Sequence, residues 1–111
     1  MPADPKPAPR TIDRQAGLAK LAREGGCRVC SDSYGLQRHH LVPRSLGGDD
    51  IDANLIPLCA RCHDLWEHGT WHRAEVGALI RMFLTAAEED YVMAKLGPDR
   101  FDHYYPAGTL R

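Results

Sequence analysis

Residues 27–68 decide the fold, and they read CRVCSDSYGLQRHHLVPRSLGGDDIDANLIPLCARCHDLWEH. The stretch begins with one Cys-x-x-Cys pair, Cys27 and Cys30, and it carries a second pair, Cys59 and Cys62, near its end. Zinc prefers four tetrahedral ligands, and two thiolates three residues apart can share one ion without straining the turn between them. The spacing therefore predicts a structural four-cysteine zinc site that holds the intervening segment as a folded insert.

The N-terminal residues favour an intracellular protein. Residues 1–10 read MPADPKPAPR and contain no apolar stretch of the kind that a secretory signal needs. No window of the chain approaches the roughly 18 apolar residues of a membrane span, so we expect no membrane association. These features predict a reducing, cytoplasmic setting, where paired Cys-x-x-Cys motifs bind zinc more often than they form disulfides.

The chain has room for one small domain between two tails. A chain of 111 residues buries only about two thirds of its unfolded surface, so a metal ion would help a thin core. The proline-rich composition of residues 1–10 predicts a disordered arm. A single domain with flanking helices is expected over 11–96, and a C-terminal tail over 97–111.

Helix signals flank the motif region on both sides. Thr11 is a plausible N-cap of a first helix that ends at Gly25, and its expected apolar stripe is Ile12, Leu18 and Leu21. A helix over 60–68 is expected to stop at a glycine, and Thr70 would cap the next one. Thr85 begins a capping box for a last helix that is expected to end at Leu96, because Gly97 and Pro98 follow.

Three polar residues between and after the cysteine pairs suit phosphodiester hydrolysis. His39 and His40 lie near the end of a predicted strand over 36–42, and His63 directly follows Cys62. Neutral histidine titrates near the working pH and can take a proton from water, while a divalent cation can act as a Lewis acid at a phosphate. Adjacent side chains of a strand point to opposite faces, so one histidine can bind a metal ion while the other acts as a base.

The strings GGCRVC, HHLVPRSLGGDD and NLIPLCARCH are similar to those of the HNH endonucleases, over roughly residues 25–68. The resemblance implies a small α+β fold whose ββα-metal (His-Me finger) core is stapled by the four-cysteine zinc site and carries flanking N- and C-terminal helices. It implies a metal-dependent DNA endonuclease that nicks or cuts both strands, with a histidine as general base. Small proteins of this build also resemble phage-encoded nucleases that work beside DNA-packaging enzymes, which would place the protein in the host-cell cytoplasm.

The resemblance assigns a role to each residue of the catalytic set. It implies His39 as a ligand of the catalytic divalent ion and His40 as the general base. Asn54 is implied as the residue that holds the loop and fixes the orientation of His40, and His63 as the second metal ligand.

The third ligand and the identity of the catalytic ion are open. Many members of the family carry another histidine four residues after the one matching His63, where this chain has Glu67. Residues four apart share one face of a helix, so Glu67 is the candidate third ligand and His68 is its substitute. A His-rich site with one carboxylate suits Mg2+, Mn2+, Ni2+ or Zn2+.

A second interpretation is a non-catalytic zinc module that binds DNA or a protein partner such as a DNA-packaging machine. It is supported by Glu67 and by the net charge of -1, since nucleic-acid-binding domains are commonly basic. Five arginines nevertheless lie within or beside the motif region, and of these Arg44 and Arg61 are candidate phosphate contacts.

Overall fold

Residues 10–69 and 73–107 are described by the structure, a computed structural model, and they have a small α+β fold. Their two strands pair antiparallel, with His39 opposite Ile56 and His40 opposite Leu55. The predicted ββα core with helices on both sides is confirmed. In chain order the elements are α1 (Arg14–Glu24), β1 (Gln37–His40), β2 (Leu55–Leu58), α2 (Ala60–His68), α3 (Arg73–Met82) and α4 (Ala86–Tyr104).

The first helix begins later than the sequence predicts. Asp13, not Thr11, is its N-cap, and the Asp13 carboxylate accepts hydrogen bonds from the N–H groups of Gln15 and Ala16. Thr11 is engaged elsewhere, because its N–H donates to Asp49 Oδ1 at 2.6 Å and its carbonyl accepts from Asp50 N at 2.8 Å. Residues 10–13 thus form an extended strap over the loop that follows β1.

The buried face of α1 also differs from the expected apolar stripe. Ile12 is 75% exposed and Leu18 is 42% exposed, whereas Gly17 and Lys20 are the buried residues of the helix. The Lys20 ammonium lies 3.1 Å from Glu88 Oε2, and Glu88 is itself buried at the start of α4. Gly17 packs closely on Arg38, because a Cβ added at Gly17 would lie 2.2 Å from the Arg38 Cδ atom. This contact and the ion pair of Lys20 with Glu88 therefore join α1 to the rest of the molecule.

The same carboxylate holds the first cysteine turn. Arg28, which lies between the first two cysteines, donates to both oxygens of Glu88 and also pairs with Glu24. The Glu88 side chain in addition accepts from Thr85 N at 2.7 Å, which completes the predicted capping box of α4. The Arg28 guanidinium is thereby neutralised by two internal ion pairs and does not contribute to a basic surface.

The last helix is interrupted at the predicted position, but the chain becomes helical again after it. Gly97 has φ of 78°, a left-handed conformation that interrupts α4, and Pro98 follows it. The chain then becomes helical again up to Tyr104, and Phe101 and Tyr105 are buried in the core. The segment 97–107 therefore differs from the tail that we expected, because its aromatic side chains complete the core.

Some of the expectations fall on residues outside the described ranges. These are residues 1–9 of the expected arm, Thr70 as a helix cap, and residues 108–111. Arg10, which we included in the arm, donates from Nε to Gly48 O at 2.7 Å and pairs with Asp50. Within the ranges that the structure describes, no helix has the length and apolar character needed to cross a membrane.

Candidate zinc centre and active site

The four cysteines converge at one point, as their spacing predicts. All four Sγ atoms lie within 4.8 Å of one another, and none of the cysteines is in a disulfide. Cys30 Sγ lies 3.6 Å from Cys59 Sγ and 3.8 Å from Cys62 Sγ. Four sulfurs at about 2.3 Å from one zinc ion would lie roughly 3.8 Å apart in a tetrahedron, so this cluster fits zinc closely.

Backbone hydrogen bonds around the cluster favour the thiolate form of Cys27, whereas burial raises the pKa of Cys62. Burial alone would raise the pKa of Cys27, but hydrogen bonds from the backbone of Cys59, Cys30 and Val29 lower that pKa to about 7. Cys59 is also the N-cap of α2, and its sulfur accepts from Cys62 N at 3.4 Å. Since the thiolate is the form that binds zinc, the cluster is suited to the ion and fixes where α2 begins.

A cleft of about 790 Å³ lies between β1, α2 and the start of α3. It brings together most of the residues that the sequence singles out. Its lining includes His39, His40, Arg44, Asp50, His63, Trp66, Glu67 and Arg73.

His40 makes its closest polar contact with Asp50, a residue to which the sequence assigned no role. His40 Nε2 lies 2.7 Å from Asp50 Oδ1. Burial acts to raise the pKa of Asp50, but hydrogen bonds from His40 and Asp13 N, with the charge of Arg10, lower it overall. An ionised carboxylate only accepts hydrogen bonds, so His40 carries a proton on Nε2, and in the neutral form of the ring Nδ1 is the nitrogen with the free lone pair.

Asp50 is itself held by the strap that precedes α1. Arg10 Nη2 donates to Asp50 Oδ1 at 2.9 Å, and Asp13 N donates to Asp50 Oδ2 at 3.0 Å. The N-terminal strap therefore fixes the carboxylate that contacts His40. Asp50 ends the run Gly47-Gly48-Asp49-Asp50, a composition typical of a turn, and such a run gives no indication that its last residue contacts a histidine.

Asn54 shapes the same loop from within. It is fully buried, and its side-chain oxygen accepts from Val42 N at 2.7 Å. Its amide donates to Asp49 O at 2.9 Å and to Val42 O at 3.2 Å. These bonds tie the end of β1 to the residue before Asp50, so Asn54 acts on the His40 surroundings through the backbone and not by direct contact.

His39 lies on the opposite, inner side of the strand. It is 2% exposed, and its ring meets the Trp66 indole edge to face with centroids 4.6 Å apart. Burial, followed by the charge of His63, lowers the pKa of His39 to about 3, so the ring is neutral at pH 7. A neutral imidazole is the form that can bind a metal ion.

His63 and Glu67 occupy one face of α2, as residues four apart should. His63 Nε2 lies 3.7 Å from Glu67 Oε1, and the His39 and His63 ring centroids are 5.8 Å apart. Two ligand atoms about 2.1 Å from one ion lie roughly 3.0–3.4 Å apart, so the His63 and Glu67 pair fits an ion with a small adjustment. Among the described residues, however, the cysteine cluster is the only set of three or more ligands within 4.8 Å of one another.

His68 occupies a different position from its expected role as substitute ligand. α2 continues through His68, and its Nδ1 pairs with Asp64 Oδ1 at 3.0 Å on an exposed surface. Neither residue is among those that line the cleft. The structure therefore favours Glu67 over His68 as the residue beside His63.

The arginines near the cleft divide into two groups. Arg38, Arg44 and Arg73 line it, and the Arg73 guanidinium lies 4.6 Å from the centroid of the Trp66 ring. Arg61, which the sequence suggested as a phosphate contact, is not among the lining residues. Arg73 is one of the five arginines within or beside the motif region, and the packing of α3 beside α2 brings it to the cleft.

The family comparison agrees with this geometry. The HNH endonuclease family model matches residues 27–68, which include both cysteine pairs, both strands and α2. A comparison with the curated proteins found no match to the chain. The resemblance inferred from the motifs is confirmed, and it supports nuclease activity at the level of the family.

Proposed function

On the premise that residues 27–68 are an HNH domain, we propose that this protein is a metal-dependent DNA endonuclease. It hydrolyses phosphodiester bonds, by nicking or by double-strand cleavage, and leaves 5'-phosphate and 3'-hydroxyl ends as the family resemblance implies. The observation that carries the proposal is the hydrogen bond of His40 to the ionised Asp50 at the wall of a cleft that also contains His39 and His63.

His40 acts as the general base in this proposal. With its proton on Nε2 directed to Asp50, the Nδ1 lone pair accepts a proton from the attacking water. The imidazolium that forms is stabilised by the adjacent carboxylate, as in other histidine and aspartate pairs. Asn54 keeps the loop in place so that this pairing persists.

His39 and His63 would hold the catalytic divalent ion, with Glu67 as the third ligand. Mg2+, Mn2+, Ni2+ and Zn2+ are all candidates, because nitrogen ligands with one carboxylate suit several divalent ions. When bound, such an ion stabilises negative charge on the phosphoryl oxygens and on the departing 3'-oxygen. The four-cysteine cluster holds a separate structural zinc ion.

Arginines at the cleft would position the DNA. Arg44 and Arg73 line the cleft beside His40 and His63, where their guanidinium groups can contact phosphates on either side of the scissile bond. Contacts of this kind bind the backbone without reading its sequence. We also propose a reducing, cytoplasmic setting, because the four thiols must stay reduced to bind zinc.

Cleavage of supercoiled plasmid by the zinc-loaded protein tests the proposal. We expect nicked or linear products when Mg2+ or Mn2+ is added, and a strong loss of cleavage in His40→Ala. His103→Ala is a matched control, because His103 is an exposed histidine outside the cleft. The proposal fails if wild-type protein cuts no DNA with any of the four ions, or if His40→Ala cuts as fast as His103→Ala.

A non-catalytic zinc module that binds DNA or a protein partner, such as a DNA-packaging machine, is the second candidate. It is favoured by the absence, within the described ranges, of a second convergent set of three metal ligands. Metal counting separates the two candidates. A binding module would retain one tight zinc ion and nothing more, whereas the nuclease should bind an additional, exchangeable ion that is lost in His63→Ala.

A further inference from the structure

Tyr105 reaches the active site from the far end of the chain. It is fully buried, and its ring stacks on Trp66 with centroids 5.9 Å apart and an interplanar angle of 13°. Its hydroxyl oxygen lies 2.9 Å from His39 Nε2 and 2.6 Å from Leu41 O. The hydroxyl is thus placed between a histidine of the cleft and a backbone carbonyl directly after β1, the strand that carries this histidine.

The proton positions at this contact follow from hydrogen-bond chemistry. A backbone carbonyl only accepts, and a tyrosine hydroxyl has a single proton to donate. The Tyr105 proton must therefore be directed to Leu41 O, since two acceptor oxygens 2.6 Å apart with no proton between them would repel each other. The Tyr105 oxygen then accepts from His39, so the proton of the neutral His39 ring is on Nε2.

We propose that Tyr105 is a positioning residue that fixes His39 in the Nε2-protonated tautomer and leaves Nδ1 as its metal-binding atom. Metal-binding histidines are commonly oriented by a hydrogen bond from their other ring nitrogen, and such partners tune metal affinity. The inference rests on the proposed function only in taking His39 as a ligand of the catalytic ion. The tautomer itself follows from the contacts of the described residues.

Three contacts keep Tyr105 in position. Its N–H donates to Phe101 O at 2.8 Å, and its carbonyl accepts from Arg81 Nη1 at 3.0 Å. The end of α4 also packs closely on α3, because a Cβ added at Gly77 would lie 2.5 Å from Tyr104 O. Tyr105 lies outside the residues 27–68 that the family model matches. The C-terminal segment therefore adds a hydrogen-bond partner for His39 that the matched residues do not supply.

Nitrogen NMR of the zinc-loaded full chain tests the tautomer directly. Long-range proton to nitrogen correlations distinguish a protonated ring nitrogen from one with a free lone pair. We expect the wild-type His39 spectrum to show a protonated Nε2 and an unprotonated Nδ1. The opposite pattern in the wild-type protein would overturn the proposal without any substitution being needed.

The variant Tyr105→Phe removes only the hydroxyl and keeps the stacked ring. We expect the His39 signals to move towards a mixture of tautomers, and the affinity for Mn2+, measured by calorimetry without DNA, to fall about 10- to 100-fold. Tyr91→Phe is the control, because Tyr91 donates a similar hydrogen bond to Asp49 away from His39. It should leave both the His39 spectrum and the Mn2+ affinity unchanged.

The outcomes separate this inference from the proposed function. If Tyr105→Phe keeps the wild-type His39 spectrum and Mn2+ affinity while the wild-type protein cuts DNA, the role of Tyr105 is refuted and the nuclease stands. If the wild-type protein cuts no DNA but the His39 spectrum changes in Tyr105→Phe, the nuclease proposal fails and the positioning role stands.

Discussion

The pairing of His40 with Asp50 is the contact on which the proposed chemistry depends most. A carboxylate dictates that His40 Nε2 carries the proton, whereas an amide can present either its oxygen or its NH2 group to that nitrogen. A histidine in the wrong tautomer has no lone pair on the nitrogen that should accept the proton from water. Replacing the Asp50 carboxylate by an amide should therefore lower the turnover rate more than the affinity for DNA, because Asp50 orients the base and does not bind the substrate.

For Asp50→Asn we expect kcat for plasmid nicking to fall at least about 10-fold with little change in KM. The corresponding change beside the catalytic histidine of serine proteases costs about 10⁴-fold in kcat. Asp49→Asn is a matched control, since Asp49 and Asp50 are 8% and 9% exposed and both accept hydrogen bonds from the strap. Equal losses of kcat in the two variants would attribute the effect to the loop and not to the histidine pairing.

Among the elements, α1, the first cysteine turn and α4 are joined at one buried carboxylate. Glu88 is 1% exposed and pairs with Lys20 and Arg28, while its carboxylate also accepts from Thr85 N. Burial acts to raise the pKa of Glu88, but Arg28, Thr85 N and Lys20 lower it overall. A carboxyl whose pKa is lower in the folded state stabilises the fold above its unfolded pKa, and that stability is lost as the pH falls through the folded pKa.

We expect Glu88→Gln to lower the free energy of unfolding by about 1.5–3 kcal/mol at pH 7, because Lys20 keeps Asp52 but loses its buried carboxylate, and Arg28 keeps only Glu24. Glu89→Gln, at the exposed neighbouring position, should change it by no more than about 0.5 kcal/mol. Urea unfolding of both variants from pH 7 down to pH 3 gives the comparison. The wild-type advantage over Glu88→Gln should shrink below the ordinary glutamate pKa near 4.5, and an advantage that is independent of pH would contradict the ionic explanation.

The same elements show what the sequence could and could not predict. The cysteine pairs, β1 and α2 were predicted correctly because metal-ligand spacing, strand-forming runs and local helix signals are encoded within a few residues. The burial of Lys20 was missed, since its partner Glu88 lies 68 positions away. Tyr105 was missed for the same reason, because it meets His39 across 66 positions and its neighbours give no periodic pattern.

In the whole molecule, the proposed active site depends on three parts of the chain. Residues 27–68, which the HNH endonuclease model matches, supply the histidines. The strap at Arg10 and Asp13 holds Asp50, and the end of α4 supplies Tyr105. The cysteine cluster joins one pair that precedes β1 to a second pair at the start of α2, so the two cysteine pairs enclose both strands in sequence. Loss of its ion should therefore disorganise the site as well as the zinc centre.

Cys59→Ser tests this dependence, because serine is a good helix N-cap and so preserves the second role of Cys59 while removing a zinc ligand. Structural zinc contributes about 10–16 kcal/mol in zinc-finger peptides, which matches or exceeds the roughly 5–15 kcal/mol stability of a typical domain. We expect the variant to bind no tight zinc and to lose its cooperative thermal transition in circular dichroism. Wild-type protein stripped of zinc should behave in the same way and recover when zinc is returned, whereas Cys59→Ser should not. An unchanged melting temperature after complete zinc removal from the wild type would show that the thiols do not hold the fold together through a metal ion.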